Sequence, residues 1–119
     1  FGFGGLIMTA GTANPYQPKA VRASMGSCLG LKIARAGLDE IKALPQRLIS
    51  LSLDGAVNLR QADLTGPLAL ILGQEAGGVC PELAELASQK VLIAMPGLTE
   101  SLNVAVAGGI VMAAAAGSL

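Results

Sequence analysis

Two short apolar segments, Leu68–Leu72 and Val91–Ala94, place the strongest constraint on how this chain of 119 residues can fold. Both consist of aliphatic side chains without polar alternation, which is typical of strands that are covered on both faces of a parallel sheet. Each leads into a turn that contains glycine and then into a segment of helical composition. Ligands of open parallel sheets bind at the carboxyl ends of the strands, so we expect any functional pocket to lie at these two turns.

Strand and helix signals alternate along the rest of the sequence. Apolar runs predict two further strands, at Gly5–Met8 and Arg47–Leu53, and a weaker extended segment at Leu29–Ile33. This alternation predicts an α/β fold with a mainly parallel sheet flanked by helices, in a single domain that spans residues 1–119. The helices are predicted at Ala20–Gly26, with Pro18 near the first turn, and at Gly37–Leu44, Cys80–Ser88 and from Ser101 to the end. Ser101 is predicted as the N-cap of the last helix, and Asp54–Asp63 as a polar connection.

The charged residues balance, with eight basic and eight acidic side chains, and the sequence contains no histidine. The chain therefore lacks the commonest general base and metal ligand. Its two cysteines, Cys28 and Cys80, are too few for a zinc site, so we predict no metal and two buried thiols in a reducing cytoplasm. Without a surplus of positive charge, the chain alone is not expected to bind nucleic acid strongly. Six of the eight basic residues precede residue 48, so the first half is the better candidate for a polyanion-binding face.

Residues 101–119 contain no charged side chain. The segment is mostly alanine and is interrupted by polar residues and glycine, so it is too weakly apolar to span a bilayer reliably. We expect a helix that is buried in the core or at a subunit interface, and no contact with a membrane. The start of the sequence, Phe1-Gly-Phe-Gly-Gly, has none of the basic residues that begin a signal peptide, which favours a cytoplasmic protein.

The turn Gly73–Gly78, of sequence Gly-Gln-Glu-Ala-Gly-Gly, contains an acidic residue that has no role in an apolar core. Carboxylates such as Glu75 that follow a buried strand often bind a ribose hydroxyl or an amine. The turn lacks the Gly-Lys-Ser/Thr of a phosphate loop and also the dinucleotide-binding pattern. Taken alone, it is consistent with binding of phosphate or adenosine and with a purely structural role.

A second polar segment, Pro96–Asn103, has the sequence Pro-Gly-Leu-Thr-Glu-Ser-Leu-Asn and directly precedes the apolar C-terminal helix. This spacing puts Ser101 and Asn103 at the start of that helix. Either side chain, considered alone, is also explained if it only caps the helix or fixes the loop.

Together these segments resemble the motifs of the SpoU-type RNA 2′-O-methyltransferases of the SPOUT superfamily. That family carries a Gly-x-Glu-x-x-Gly turn and, further on, a strand end of the Ile-Pro-Met type that leads to Ser-Leu-Asn-Val. The segment Asn14–Ser27 also resembles the family's Pro-Lys-Val-Val-Arg-Ser/Ala-Ser-Met/Ala-Gly sequence, and the resemblance covers nearly the whole chain in the right order. The matching segments are Gly73–Gly78, Ile93–Pro96 and Ser101–Val104.

The resemblance implies a SPOUT-type fold with a deep C-terminal trefoil knot, an exception to the rule against knotted chains. It implies S-adenosylmethionine as the cofactor, bound in the knot, and methyl transfer to the ribose 2′-hydroxyl of a tRNA or rRNA nucleotide. It also implies a homodimer through the closing apolar helix and the knot region. The implied cofactor-binding residues are Leu72, Gly73, Glu75, Gly78, Ile93, Met95, Leu102 and Asn103.

The resemblance also assigns catalytic roles. Ser101 and Asn103 are expected near the reacting methyl group, and Glu75 is expected to organise the loops. The family's first motif, Asn-x-Gly-x-x-x-Arg, normally precedes the segment that begins here with Phe1, and it is absent from the 119 residues. We therefore expect a single SpoU-type domain without its first motif, in which orientation drives catalysis and a base or arginine comes from elsewhere. Ala94 also departs from the family, because proline is common at that position.

Three other interpretations stay open. A base-methylating SPOUT enzyme is disfavoured by the Ser-Leu-Asn-Val sequence, and a nucleotide-binding α/β domain is disfavoured by the lack of a phosphate-loop lysine. A non-catalytic cofactor-binding or dimerising remnant of a larger RNA-binding protein is favoured by the missing first motif. Lys19 and Arg22 are candidates for contacts with RNA phosphates, with an ordinary solvated helix face as the alternative.

Overall fold

The computed structural model describes residues 1–54, 57–97 and 101–119. Their contacts divide the chain into two compact units, Gly2–Ala43 and Leu44–Leu119, the second of which also includes Phe1. Strands pair in parallel in both units and alternate with helices, so the predicted α/β class is confirmed. That the two units form one domain stays a prediction.

The unit Gly2–Ala43 contains a two-stranded parallel sheet of β1 (Gly5–Met8) and β2 (Lys32–Arg35). Helix α1 (Pro18–Ala23) lies between the strands in sequence, and α2 (Leu38–Lys42) follows them. Helix α1 begins at Pro18, the proline expected near its first turn, because the fixed φ and missing N–H of proline suit that position. It ends at Ala23, before the predicted Gly26. The extended segment predicted at Leu29–Ile33 starts later, since a short 3₁₀ turn occupies Ser27–Leu29.

The unit Leu44–Leu119 is built on a four-stranded parallel sheet in the order β4–β6–β3–β5. Strand β6 pairs with both β3 and β4, so a late segment of the chain lies between two earlier strands. Because β5 and β6 run parallel to β3 on its two sides, their carboxyl ends lie at the same end of the sheet, on either side of the end of β3. The strands are β3 (Arg47–Leu51), β4 (Val57–Asn58), β5 (Leu68–Ile71) and β6 (Gln89–Leu92).

The strands predicted from aliphatic runs are present with small shifts at their ends, whereas β4 was missed. It lies within the predicted polar connection Asp54–Asp63, which is therefore wrong at Val57–Asn58, whereas the 3₁₀ turn Leu59–Gln61 is part of the connection to β5. Pairing with β6, which sequence cannot show, makes these two residues a strand. Gly55 and Ala56 of the same predicted connection lie outside the described residues.

Helices α3 (Pro81–Leu86) and α4 (Val104–Ala115) complete this unit. Ile49 on β3, Val91 on β6 and Val111 on α4 are completely buried and mark its core. Helix α4 packs against the end of β5, since a Cβ added at Gly108 would lie 2.9 Å from Leu72 Cδ1. Among the helices of the described ranges, none combines the length and the apolar character needed to cross a membrane.

Arg47, the first residue of β3, forms hydrogen bonds with the connection that precedes β5. Its guanidinium donates to Asp63 Oδ2 at 3.0 Å and to the backbone carbonyls of Asp63 and Thr65 at 3.2 and 2.6 Å. Thr65 donates to Asp63 Oδ1 from its hydroxyl at 2.7 Å and from its N–H at 3.0 Å. These bonds favour the ionised carboxylate and lower the pKa of Asp63, with the Thr65 hydroxyl contributing most and Arg47 less.

Replacing Thr65 with Val should raise the pKa of Asp63 toward its ordinary value, because the strongest hydrogen bond to the carboxylate is lost. The pKa is lower in the folded state, so ionised Asp63 stabilises the fold above the ordinary aspartate pKa of about 3.9, and this contribution disappears as the pH falls through the lowered value. Carboxyl NMR titration measures the shift directly. Thr65→Ser keeps the hydroxyl and serves as the control; an unchanged pKa in Thr65→Val would contradict the assignment.

Candidate functional site

An open cleft of about 530 Å³ lies at the carboxyl ends of β3, β5 and β6. Most of its lining comes from the end of β3, the turn after β5, β6 with the residues directly after it, and the segment from Ser101 to the first turn of α4; Ala84 of α3 also contributes. The structure thus places a cleft at the two turns that the apolar segments of the sequence singled out. Its volume lies within the range of about 300–1,000 Å³ that is usual for small-molecule sites.

Most of the residues predicted to bind a cofactor line this cleft. Asn103 is not among the lining residues, although it contacts one of them, and Ser101 lines the cleft as well. Leu98, Thr99 and Glu100 of the predicted polar segment lie outside the described residues. The predicted residues that line the cleft are Leu72, Gly73, Glu75, Gly78, Ile93, Met95 and Leu102. Their roles in binding stay a prediction.

The turn after β5 is closed by two backbone hydrogen bonds between Gln74 and Gly78. The N–H of Gln74 donates to the carbonyl of Gly78 at 2.9 Å, and the N–H of Gly78 donates back to Gln74 at 2.8 Å. A Cβ at Gly73 would overlap the carbonyl of Gly78 and the nitrogen of Val79. Gly78 itself has a φ of +63°, which favours glycine. Two glycines of the motif are therefore required by the shape of the turn.

Asn103 connects this turn to α4. Its Oδ1 accepts from the N–H groups of Ala105 at 3.0 Å and Val106 at 3.4 Å, which satisfies two amides of the first helical turn. Its Nδ2 donates to Glu75 Oε1 at 2.7 Å. The prediction of Ser101 as the N-cap is therefore wrong: Asn103 caps the helix, because only its amide both accepts from the helix and donates to the turn.

Sequence reasoning missed Ser50, which lies on β3 and lines the cleft. The residue is only 1% exposed, and its hydroxyl has no hydrogen-bond partner within the described parts of the chain. A buried hydroxyl without a hydrogen-bond partner lowers the stability of a protein by about 1–3 kcal/mol. A ligand in the cleft that formed a hydrogen bond with Ser50 would remove this cost. The signal in the sequence was one hydroxyl in an aliphatic strand, Leu48-Ile-Ser-Leu51.

Sequence reasoning also missed Lys90, the one cation among the described residues that line the cleft. Lys90 is paired in register with Ser50 across β3 and β6, so the two side chains are on the same face of the sheet. Two carboxylates line the same cleft, those of Asp54 and Glu75. The cleft therefore combines apolar walls with groups of both charges.

Lys19 and Arg22 are not residues of the cleft and belong to the unit Gly2–Ala43. Both are exposed on α1, and their spacing of three residues puts them on one side of the helix. Five basic and two acidic side chains lie in residues 2–43, against three basic and six acidic ones in residues 44–119. The described residues contain no group of three or more potential metal ligands.

Comparisons with known proteins agree with this geometry. Residues 1–113 match the model of the SpoU rRNA Methylase family. The chain is 47% identical over 57 residues to the tRNA (guanosine(18)-2′-O)-methyltransferase of Aquifex aeolicus (strain VF5), which covers 48% of this chain and 27% of that protein. It is 30% identical over 115 residues to the 23S rRNA (guanosine(2553)-2′-O)-methyltransferase RlmP of Bacillus subtilis (strain 168), covering 93% of this chain and 46% of the relative.

A solved structure shows the same fold. The crystal structure of an AdoMet-bound rRNA methyltransferase from Sinorhizobium meliloti matches with a TM-score of 0.89 and 33% sequence identity, covering 98% of this chain and 46% of that one. The chain spans less than half the length of each of these three proteins.

Replacing Gly73 with Ala should destabilise the protein by about 1–3 kcal/mol, because the added methyl group forces the closed turn apart. Gly77→Ala is the matched control within the same turn: nothing lies within 4 Å of a Cβ there, and its φ is not positive. Urea unfolding of both variants measures the difference. Equal stability of the two would show that the turn opens without cost and that Gly73 is not required for its shape.

Proposed function

Because the chain belongs to the SpoU rRNA methylase family, we propose that the protein containing it transfers a methyl group from S-adenosylmethionine to the ribose 2′-hydroxyl of a tRNA or rRNA nucleotide. The observation that carries this proposal is the bond between Glu75 and Asn103, which joins the two family motifs at the edge of the cleft. One relative is a tRNA 2′-O-methyltransferase and the other an rRNA 2′-O-methyltransferase, which supports both substrate classes.

The cleft fits this cofactor in size and in chemistry. Leu72, Ile93 and Leu102 supply apolar surface for an adenine ring, and Gly73 leaves the backbone of the turn free of side chains. The buried hydroxyl of Ser50 needs a partner, which the polar atoms of an adenosine or an amino acid group can provide. We propose that these five residues hold the cofactor, together with Gly78 and Met95. When bound, the cofactor supplies an electrophilic methyl group on a positively charged sulfur.

Side chains of this chain then orient the reacting groups. Asn103 holds the carboxylate of Glu75 at 2.7 Å while it caps α4, so the turn and the helix keep one fixed arrangement. The carboxylates of Glu75 and Asp54 favour a positively charged ligand in the cleft. Ser101 lines the same cleft and is proposed to contact the ribose. The chain has no histidine to accept the hydroxyl proton, so we assign its contribution mainly to orientation.

The proposal is tested by two variants of Asn103 in the full-length protein. Asn103→Ala removes the cap and the donor to Glu75, and should lower the stability by about 1 kcal/mol. Asn103→Ser keeps a good N-cap but loses the donor, so its stability should stay close to that of the unaltered protein. Both should lose methyl transfer on the order of a hundredfold, because the turn is misplaced.

The readout is transfer of a labelled methyl group to tRNA and to rRNA, followed by analysis of the modified nucleosides. Asn103→Ser with full activity would remove the donor to Glu75 from the mechanism. A methylated base in place of a 2′-O-methylnucleoside would favour the base-methylating class. No transfer by the unaltered protein to either RNA would favour the non-catalytic remnant.

We also propose a cytoplasmic homodimer that forms through α4 and the adjoining knot region. Helix α4 has no polar side chain, yet only Gly108, Val111 and Ala113 on it are buried. Val106 is 51% exposed, and a Cβ at Gly109 would meet nothing within 4 Å. A helix that is apolar on all sides but covered on one side by its own unit favours a second copy as its partner. The position of β6 between β3 and β4 supports the knot.

Val106→Glu should convert the dimer to monomers, because the interface would then bury an unpaired charge. The weakening of the dimer should be at least about tenfold, and sedimentation measures it. Gln61→Glu adds the same charge at an exposed position outside α4 and should leave the dimer intact. A Val106→Glu protein that is still dimeric at low concentration would show that the subunits meet elsewhere.

A further inference from the structure

Met25 is the most exposed large apolar side chain in the described part of the protein, at 94%. It is also the one residue there, other than glycine, with a positive φ, at +49°. The side chain therefore contributes nothing to the core. An apolar group that water surrounds, on a backbone conformation that disfavours any side chain, calls for an explanation outside the fold of this unit.

The backbone around Met25 closes the end of α1. The N–H of Gly26 donates to the carbonyl of Val21 at 2.9 Å, and the N–H of Met25 donates to Arg22 at 3.0 Å. This pair of bonds is the Schellman motif, in which the residue after the C-cap has a left-handed conformation and is usually glycine. Glycine would therefore adopt this conformation at a lower cost than the methionine that occupies the position.

The neighbours of Met25 along the chain include cations and an aromatic ring. Lys19 and Arg22 lie on the exposed side of α1, and Tyr16, which is 52% exposed, directly precedes its N-cap. The turn before Tyr16 is held by its N–H, which donates to Asn14 Oδ1 at 3.0 Å. No acidic residue occurs in the sequence before Asp39. This segment therefore presents positive charge together with exposed apolar and aromatic groups.

That combination suits unpaired nucleotides. Bases that are splayed out of a helix stack on aromatic side chains and contact apolar ones, whereas the bases of an A-form duplex are out of reach in its deep, narrow groove. Cations nearby bind the phosphates, whichever bases are present. A methionine sulfur also makes favourable contacts with aromatic rings, and a nucleobase offers such a face.

We propose that Met25 and Tyr16 contact unpaired bases of the RNA whose phosphates Lys19 and Arg22 bind. The inference rests on the proposed function and specifies the form of its substrate: a loop or another single-stranded region, not a continuous duplex. The contact with a base offsets the cost of holding Met25 in a left-handed conformation, which glycine would adopt more easily.

The test compares two RNAs of equal length, a stem with an unpaired loop and a fully paired duplex, bound by the full-length protein. Met25→Ala should weaken binding of the loop RNA roughly three- to tenfold and leave binding of the duplex unchanged. Met25→Gly should show the same loss of affinity together with a higher melting temperature, since the left-handed strain is relieved. Opposite changes in stability and in affinity are not expected for a residue with a purely structural role.

Four further variants separate the contacts. Tyr16→Phe should bind the loop RNA normally, and Tyr16→Ala should bind it about tenfold more weakly. Lys19→Ala should weaken both RNAs alike and reduce the slope of log affinity against log salt by about one. Leu38→Ala removes another exposed apolar group of the same unit, beside the acidic Asp39 and Glu40, and should change neither affinity.

Methyl transfer by the unaltered protein to tRNA and to rRNA is measured alongside. No 2′-O-methylnucleoside in either RNA would refute the proposed function. Full affinity of Met25→Ala for the loop RNA, or an equal loss for both RNAs, would overturn the base contact alone. A changed sedimentation of Met25→Ala with unchanged RNA binding would also overturn it, because Met25 would then serve a protein interface.

Discussion

The amide of Asn103 is the interaction on which the arrangement of the cleft depends. The first turn of α4 has backbone N–H groups without partners inside the helix, and the exposed carboxylate of Glu75 lies within reach of the same side chain. A primary amide is the smallest side chain that accepts at one atom and donates at another, so it makes both contacts at once. Serine or aspartate would cap the helix equally well, but neither would hold Glu75 in the same way. The order Ser-Leu-Asn-Val is thus explained by a structural requirement that also places a carboxylate at the cleft.

Close packing at Leu72 and Gly73 makes the hydrogen bond between Asn103 and Glu75 possible. The side chain of Leu72 lies against Gly108 of α4, and the next residue, Gly73, is pressed against the backbone of Gly78. A larger residue at either glycine would push the helix or the turn outward and lengthen the reach from Asn103 to Glu75. Glycine is needed at these two positions because backbone and side-chain atoms of neighbouring segments occupy the space that a Cβ would take.

The sequence predicted the parts of the fold that follow from burial alone. Aliphatic runs such as Leu68–Leu72 appear as strands because a parallel strand is covered on both faces, and no partner has to be known to recognise it. Strand β4 and the N-cap of α4 depend instead on which segments meet: Val57 pairs with Val91, and Glu75 lies opposite Asn103. The residues of the cleft were identified by resemblance to family motifs, and those motifs contain no hint of Ser50. Its single hydroxyl in an apolar strand gains meaning only once its burial is known.

For charge, too, the positions of the residues matter and not only their total. A formal net charge of zero led to the expectation that the chain alone binds nucleic acid weakly. The zero, however, is the sum of two unlike parts, since residues 2–43 carry an excess of basic side chains and residues 44–119 an excess of acidic ones. Exposed charges act over a Debye length of about 8–10 Å at ordinary salt, which is shorter than the extent of such units. A phosphate at α1 therefore responds mainly to Lys19, Arg22 and the charges within that distance. Neutrality of the whole chain excludes a strong non-specific polyanion binder, but it is compatible with a local RNA contact whose strength depends on the unpaired bases beside it.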